Sequence, residues 1–118
     1  VLPPDTCALG CFPDYHNVLS LAHSLFVPVV NHVWGSAIAV ATNIHLLASM
    51  PDLPGGAHPV QPMLEYDTTP NRFREDLLVH SLDVLSQVKD KDGMIGLPKG
   101  HGLCIEPDMS FIQQYLIS

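Results

Sequence analysis

Val27-Pro28-Val29-Val30-Asn31-His32-Val33-Trp34-Gly35-Ser36-Ala37-Ile38-Ala39-Val40-Ala41 is the stretch that decides how the chain folds. Its first half, Val27 to Val33, is a short β-branched run, and Pro28 stands early enough to be tolerated at a strand's start. Ser36 can cap a helix begun at the next residue. Ala37, Val40, Ala41, Ile44 and Ala48 then recur with helical spacing, and Ile38, Leu46 and Leu47 broaden that stripe until Pro51 stops it. A strand that ends beside a histidine therefore passes directly into an apolar helix.

The same rhythm extends to both sides. Upstream, Val1 to Asp5 reads as the end of a strand, and Pro13 and Asp14 suit the first turn of a helix. Val18, Leu21, Ala22 and Leu25 form its predicted apolar stripe. Downstream, Pro51 to Pro62 reads as a loop around Gly55 and Gly56, and Met63 to Asp67 as a third strand with Met63, Glu65 and Asp67 on one face. A short helix is expected over Arg72 to Leu78, extended chain over Met94 to Pro98 and Leu103 to Ile105, and a final helix from Pro107. Strands joined by helix-length crossovers are parallel, so their carboxyl ends share one side of the sheet and function belongs there.

With 118 residues, 47% of them apolar, the chain is long enough for one small core and too apolar for disorder. Its apolar runs are broken by prolines, and none approaches the roughly 20 residues that span a bilayer. The opening from Val1 lacks the pattern of a signal peptide and reads as a cut rather than a beginning. Five basic residues against twelve acidic ones leave no cationic stripe for nucleic acid or an anionic membrane. Cys7, Cys11 and Cys104 form neither an even disulfide set nor a C-x-x-C pair, which points to the cytoplasm. The seven histidines lack zinc-ligand spacing, so no metal site is expected within the chain.

Asp5, His32 and Glu65 recur at the ends of the three expected strands, 27 and 33 residues apart, close to the roughly 30-residue period of a βα unit. Neighbouring strands lie about 4.8 Å apart, which brings an aspartate and a histidine within hydrogen-bonding range. A carboxylate beside an imidazole fixes its tautomer and stabilises its protonated form, and a second carboxyl group such as Glu65 can donate to a developing oxyanion if burial or nearby charge keeps it protonated. This set suits proton abstraction beside a carboxylate. The blander alternatives are a satisfied His–Asp core pair, a solvated Glu65 and a Trp34 that serves only in packing.

Asp5 in Pro3-Pro4-Asp5-Thr6-Cys7, His32 in the segment from Asn31 to Ala39, Glu65 in the segment from Pro62 to Asn71, and the late run from Gly100 to Glu106 together resemble the mandelate racemase and muconate lactonizing branch of the enolase superfamily. Within it, the His-x-Trp-Gly segment and the Leu-Glu-Tyr-Asp strand look most like the galactarate dehydratase and galactarolactone cycloisomerase type of acid-sugar enzyme. The resemblance implies an α/β fold: the C-terminal portion, about strands six to eight, of a (β/α)7β-type TIM barrel. It makes Asp5 and His32 a dyad on strands six and seven, with His32 the base, Glu65 the hydrogen-bond donor to the enediolate on strand eight, and Trp34 a substrate contact. The Mg²⁺ of such enzymes is held by carboxylates on strands absent from this chain. The pattern is broken by Asn31 where a proline usually precedes the histidine, by Cys11 where a second glycine usually follows Gly10, and by His101 and Cys104 in the closing turn. Cys11 and Cys104 are therefore candidates for strained turns.

A barrel of this kind needs about 250 residues, and three strands alone leave two edges unpaired, so the chain is expected to be incomplete and inactive by itself. Residues 1–92 are expected to be barrel units and residues 93–118 a segment returning toward a missing N-terminal cap. The implied parent is a homo-oligomeric, Mg²⁺-dependent dehydratase or cycloisomerase of a sugar acid or diacid. The competing expectation is a truncated, non-catalytic chain that persists as a binding piece or a relic.

Overall fold

The computed structural model describes residues 1–51, 61–85, 87 and 93–117; Gly55 and Gly56 of the expected loop, and the expected boundary at Asp92, lie outside the described residues. The chain divides into two compact units, one of Val1–Trp34 with Asn43–Thr68 and one of Gly35–Thr42 with Thr69–Ser118.

The first unit is built on a small parallel sheet. Strand β1 (Val30–Val33) pairs with β2 (Met63–Tyr66), with Val30 opposite Met63 and His32 opposite Glu65. The opening residues join β1 through two isolated parallel bridges, Leu2 to Val29 and Asp5 to His32. Leu2 N–H donates to the Pro28 carbonyl (2.8 Å), Val30 N–H to Leu2 (3.1 Å) and His32 N–H to Pro4 (3.1 Å). The strand expected over Val1–Asp5 is thus reduced to separate contacts, because Pro4, which faces β1, has no N–H with which to continue the ladder.

Helix α1 (Thr6–Leu9), absent from the sequence reading, begins directly after Asp5 and ends at Gly10, whose φ of 94° lies in the left-handed region. Helix α2 (Phe12–Ser24) carries Pro13 and Asp14 in its first turn as expected. It closes in a Schellman arrangement: Phe26 N–H donates to His23 O (3.1 Å) and Val27 N–H to Ala22 O (2.8 Å). Val27 is consumed in that closure, so β1 begins at Val30 rather than Val27. The apolar stripe of α2 is also displaced. Tyr15, Leu19 and Ala22 are buried, while Leu21 and Leu25 are 62% and 63% exposed. Tyr15 fixes this rotation because its hydroxyl donates to the buried Asn31 (2.8 Å), an anchor that a count of aliphatic residues does not register. Tyr15, Leu19, Ala22, Val29 and Leu46 form the core of the unit, flanked by Leu9, Val27 and Met50.

Helix α3 (Ala37–Ala48) starts as expected, with Ser36 Oγ accepting from Ala39 N–H at 3.5 Å. In the second unit, α4 (Arg72–Glu75) is shorter than the helix expected to Leu78. Asn71 caps it, accepting from Phe73 N–H (3.0 Å), while Asn71 N–H donates to Glu75 (3.1 Å). Leu78 then leaves the helix to bridge Pro107 antiparallel, with Asp108 N–H donating to Leu77 O (2.8 Å). Helix α5 (Met109–Gln113) comes next, and Phe111 packs with Phe73 and Tyr115. The extended chain expected over Leu103–Ile105 is interrupted: Cys104 has φ 58°, within a turn closed by its N–H to His101 O (3.1 Å). Cys11 does not share that strain, since its φ of −157° is ordinary extended backbone. Among the described residues, no helix is long and apolar enough to cross a membrane.

Phe26 sits at φ 54°, a position where glycine closes a helix without a Cβ penalty, and its side chain is exposed. Phe26→Gly should therefore stabilise the protein by about 1 kcal/mol in denaturant titration, and a loss of stability would mean that the ring contributes packing. Asp108 makes a pH-dependent cap. Its carboxylate accepts from the Ser110 hydroxyl and from the Phe111 and Ser110 amides, which lower its pKa below the ordinary 3.8. The stabilisation is complete above the unfolded value and is lost as pH falls through the lowered folded value. Amide shifts of Ser110 and Phe111 should report that acid transition, and Asp108→Asn should remove it.

Candidate active site

Parallel pairing sets Asp5, His32 and Glu65 level, because Asp5 bridges His32 and His32 is the register partner of Glu65. His32 occupies the middle position. Along β1, Asn31 and Val33 are buried while Val30 and His32 are partly exposed, the alternation of a strand with one face against helices. His32 is consequently presented on the open face, its side chain 40% exposed, and Glu65 beside it is 63% exposed.

The imidazole pairs with Glu65, whose Oε2 lies 3.2 Å from His32 Nδ1. A carboxylate only accepts, so this contact needs a proton on Nδ1. In the neutral ring that leaves the lone pair on Nε2, which is the form of a base. The expected partner, Asp5, is beside His32 in the backbone but employs its side chain otherwise. Its Oδ1 accepts from Cys7 N–H (2.8 Å) and Ala8 N–H (3.4 Å), capping α1. The expected Asp5–His32 side-chain pair is not formed here. The reason is local: an aspartate directly before a helix accepts from the amides of its first turn, here chiefly Cys7 N–H. Trp34, just beyond β1, is 71% exposed, with its ring available on the surface of the unit.

Behind the strand is a polar network that the sequence reading missed. Tyr15 Oη donates to Asn31 Oδ1 (2.8 Å), Asn31 Nδ2 donates to Asn43 Oδ1 (3.0 Å), and Asn43 Nδ2 donates to Thr6 Oγ1 (2.8 Å). Tyr15, Asn31 and Asn43 have essentially no solvent exposure. Burial raises the Tyr15 phenol pKa, the hydrogen bond to Asn31 opposing it, and the phenol remains a donor. Two cues were present in the sequence: an asparagine inside a β-branched run, and another on the apolar stripe of a helix.

Among the described residues, no group of three or more His, Cys, Asp or Glu side chains could hold a metal ion.

Asp5→Ala should lower stability by about 1 kcal/mol, and Asp5→Ser should restore most of it by keeping a cap. Imidazole ¹⁵N spectra should show His32 unaffected by either change and altered by Glu65→Gln. A His32 response to Asp5→Ser would instead assign the pair to Asp5.

The model of the family described as enolase C-terminal domain-like matches residues 1–111. D-galactarolactone cycloisomerase of Agrobacterium fabrum is 30% identical over 115 residues, covering 98% of this chain and 29% of that protein. The crystal structure of the 3,6-anhydro-D-galactonate cycloisomerase from Zobellia galactanivorans superposes with a TM-score of 0.75 at 28% identity, covering 98% of this chain and 29% of that one. This chain thus spans a little under a third of the length of either relative. A parallel pair of strands with helical crossovers, an Asp–His–Glu series at the strand ends and a family match over nearly all its residues lead to one conclusion: the chain belongs to the enolase C-terminal domain-like family, and so to the enolase superfamily.

Proposed function

We propose that the chain is the closing part, about strands six to eight, of a (β/α) barrel enzyme that removes the proton α to a carboxylate of a sugar acid, with His32 as the base. The observation that carries this reading is the 3.2 Å contact between His32 Nδ1 and Glu65, made on the open face where strand ends coincide. With Nδ1–H held by Glu65, Nε2 accepts the α-proton, the C–H electron pair moves into the substrate carboxylate, and the imidazolium formed is stabilised by Glu65. Asp5 fixes the neighbouring strand tip through its cap. Trp34 offers an apolar face to the sugar ring.

Both named relatives are cycloisomerases, one of a galactarolactone and one of an anhydrogalactonate, which supports cycloisomerisation of a sugar acid or its lactone over dehydration. Superfamily members generally use Mg²⁺; here its ligands would come from residues outside this chain, as would the remaining strands of the barrel and its cap. The parent is a homo-oligomer in this reading. All three cysteines are free thiols, which supports a reducing, cytoplasmic setting.

The test is made in the natural protein that carries this chain, at whatever length its gene gives. His32→Asn should slow exchange of the substrate α-proton with deuterated solvent by about 100-fold or more, with lactones of sugar diacids as the first substrates. Unaltered exchange would assign the base elsewhere. No exchange in the unmodified protein would favour the competing reading, a non-catalytic binding piece.

A further inference from the structure

We infer that Asn31 and Asn43 are positioning residues for the His32 imidazole; the inference rests on the reading of His32 as the base. Asn31 immediately precedes His32 on β1, and its side chain is buried on the opposite face. Any roll or slide of this four-residue strand would move both side chains together, because alternate residues of a strand are fixed to opposite faces. The Asn31 amide is pinned at both ends, its oxygen by Tyr15 from α2 and its nitrogen by Asn43 from α3.

The same network reaches the neighbouring strand tip. Asn43 Nδ2 donates to Thr6 Oγ1, and Thr6 is the first residue of α1, which Asp5 caps. The tips at Asp5 and His32 are therefore referenced to one pair of buried amides. Stability alone gives little reason for this arrangement, since a matched apolar set in place of buried hydrogen-bonding partners is often neutral or stabilising. What amides add is direction: each bond has a preferred angle and length, and apolar contacts do not. The bond they protect is long, 3.2 Å from His32 Nδ1 to Glu65. A small displacement of β1 would break it.

The experiment compares Asn31→Leu and Asn43→Leu with Leu19→Ala, a core change in the same unit outside the network, in the natural protein. Two quantities are read: the ¹⁵N signature of Nδ1–H on the neutral His32 ring, and kcat and KM for α-proton exchange. The two leucine variants should lose the Nδ1–H preference and lower kcat about 10- to 100-fold with KM within about twofold, while Leu19→Ala changes neither by more than about twofold. Where a leucine variant fails to fold, Tyr15→Phe, which removes only the hydroxyl, replaces it with the same expectations. Retention of the Nδ1–H signature and of kcat in the network variants would overturn the inference, as would an equal loss in Leu19→Ala. Should His32→Asn retain exchange, the reading of His32 as base fails separately. The ¹⁵N signature then decides alone, its loss in Asn31→Leu supporting positioning of the ring and its retention rejecting it.

Discussion

Parallel pairing is the constraint on which everything else in this chain depends. Once β1 and β2 run in the same direction with His32 opposite Glu65, and the opening residues bridge β1 from the other side, three groups spread over half the sequence share one height. Antiparallel pairing would have sent alternate strand ends to opposite sides of the sheet. The helices between strands make the parallel direction possible, and they also cover one face, leaving the other for chemistry.

Within that frame the two faces of β1 have separate tasks. The open face carries His32 at hydrogen-bond distance from a carboxylate. The covered face carries Asn31, enclosed with Asn43 and the Tyr15 hydroxyl in an otherwise apolar layer. Buried polar groups are tolerated where every one is paired, and among the described residues no buried side-chain nitrogen or oxygen lacks a partner.

The elements that were legible in the sequence are those specified by local chemistry. Pro13 and Asp14 at the start of α2, Ser36 before α3 and the β-branched run into His32 each declare themselves within a few residues. The level arrangement of Asp5, His32 and Glu65 was legible too, since it needs only a strand–helix period. Three things were not. The stripe of α2 depends on a tyrosine seeking a partner sixteen residues away, so aliphatic spacing alone chose the wrong rotation. The partner of His32 depends on a competition for Asp5, and the helix start took that carboxylate; the Asp5–Thr6 pair and the Gly10 stop were the available signal. The Asn31 network depends on the packing of three elements, and position 31 registered only as a departure from a familiar pattern.

The two outer margins of the small sheet differ in their capacity to recruit another strand. In the opening segment, Leu2 and Pro4 direct their backbone groups to β1, which turns those of Pro3 outward. Pro3 has a carbonyl but no N–H, so a strand arriving there finds a gap in the donor row. β2, Met63 to Tyr66, contains no proline, so its donor row is complete. In the proposed barrel, a further strand therefore meets a complete row of donors at β2 and a broken one at Pro3.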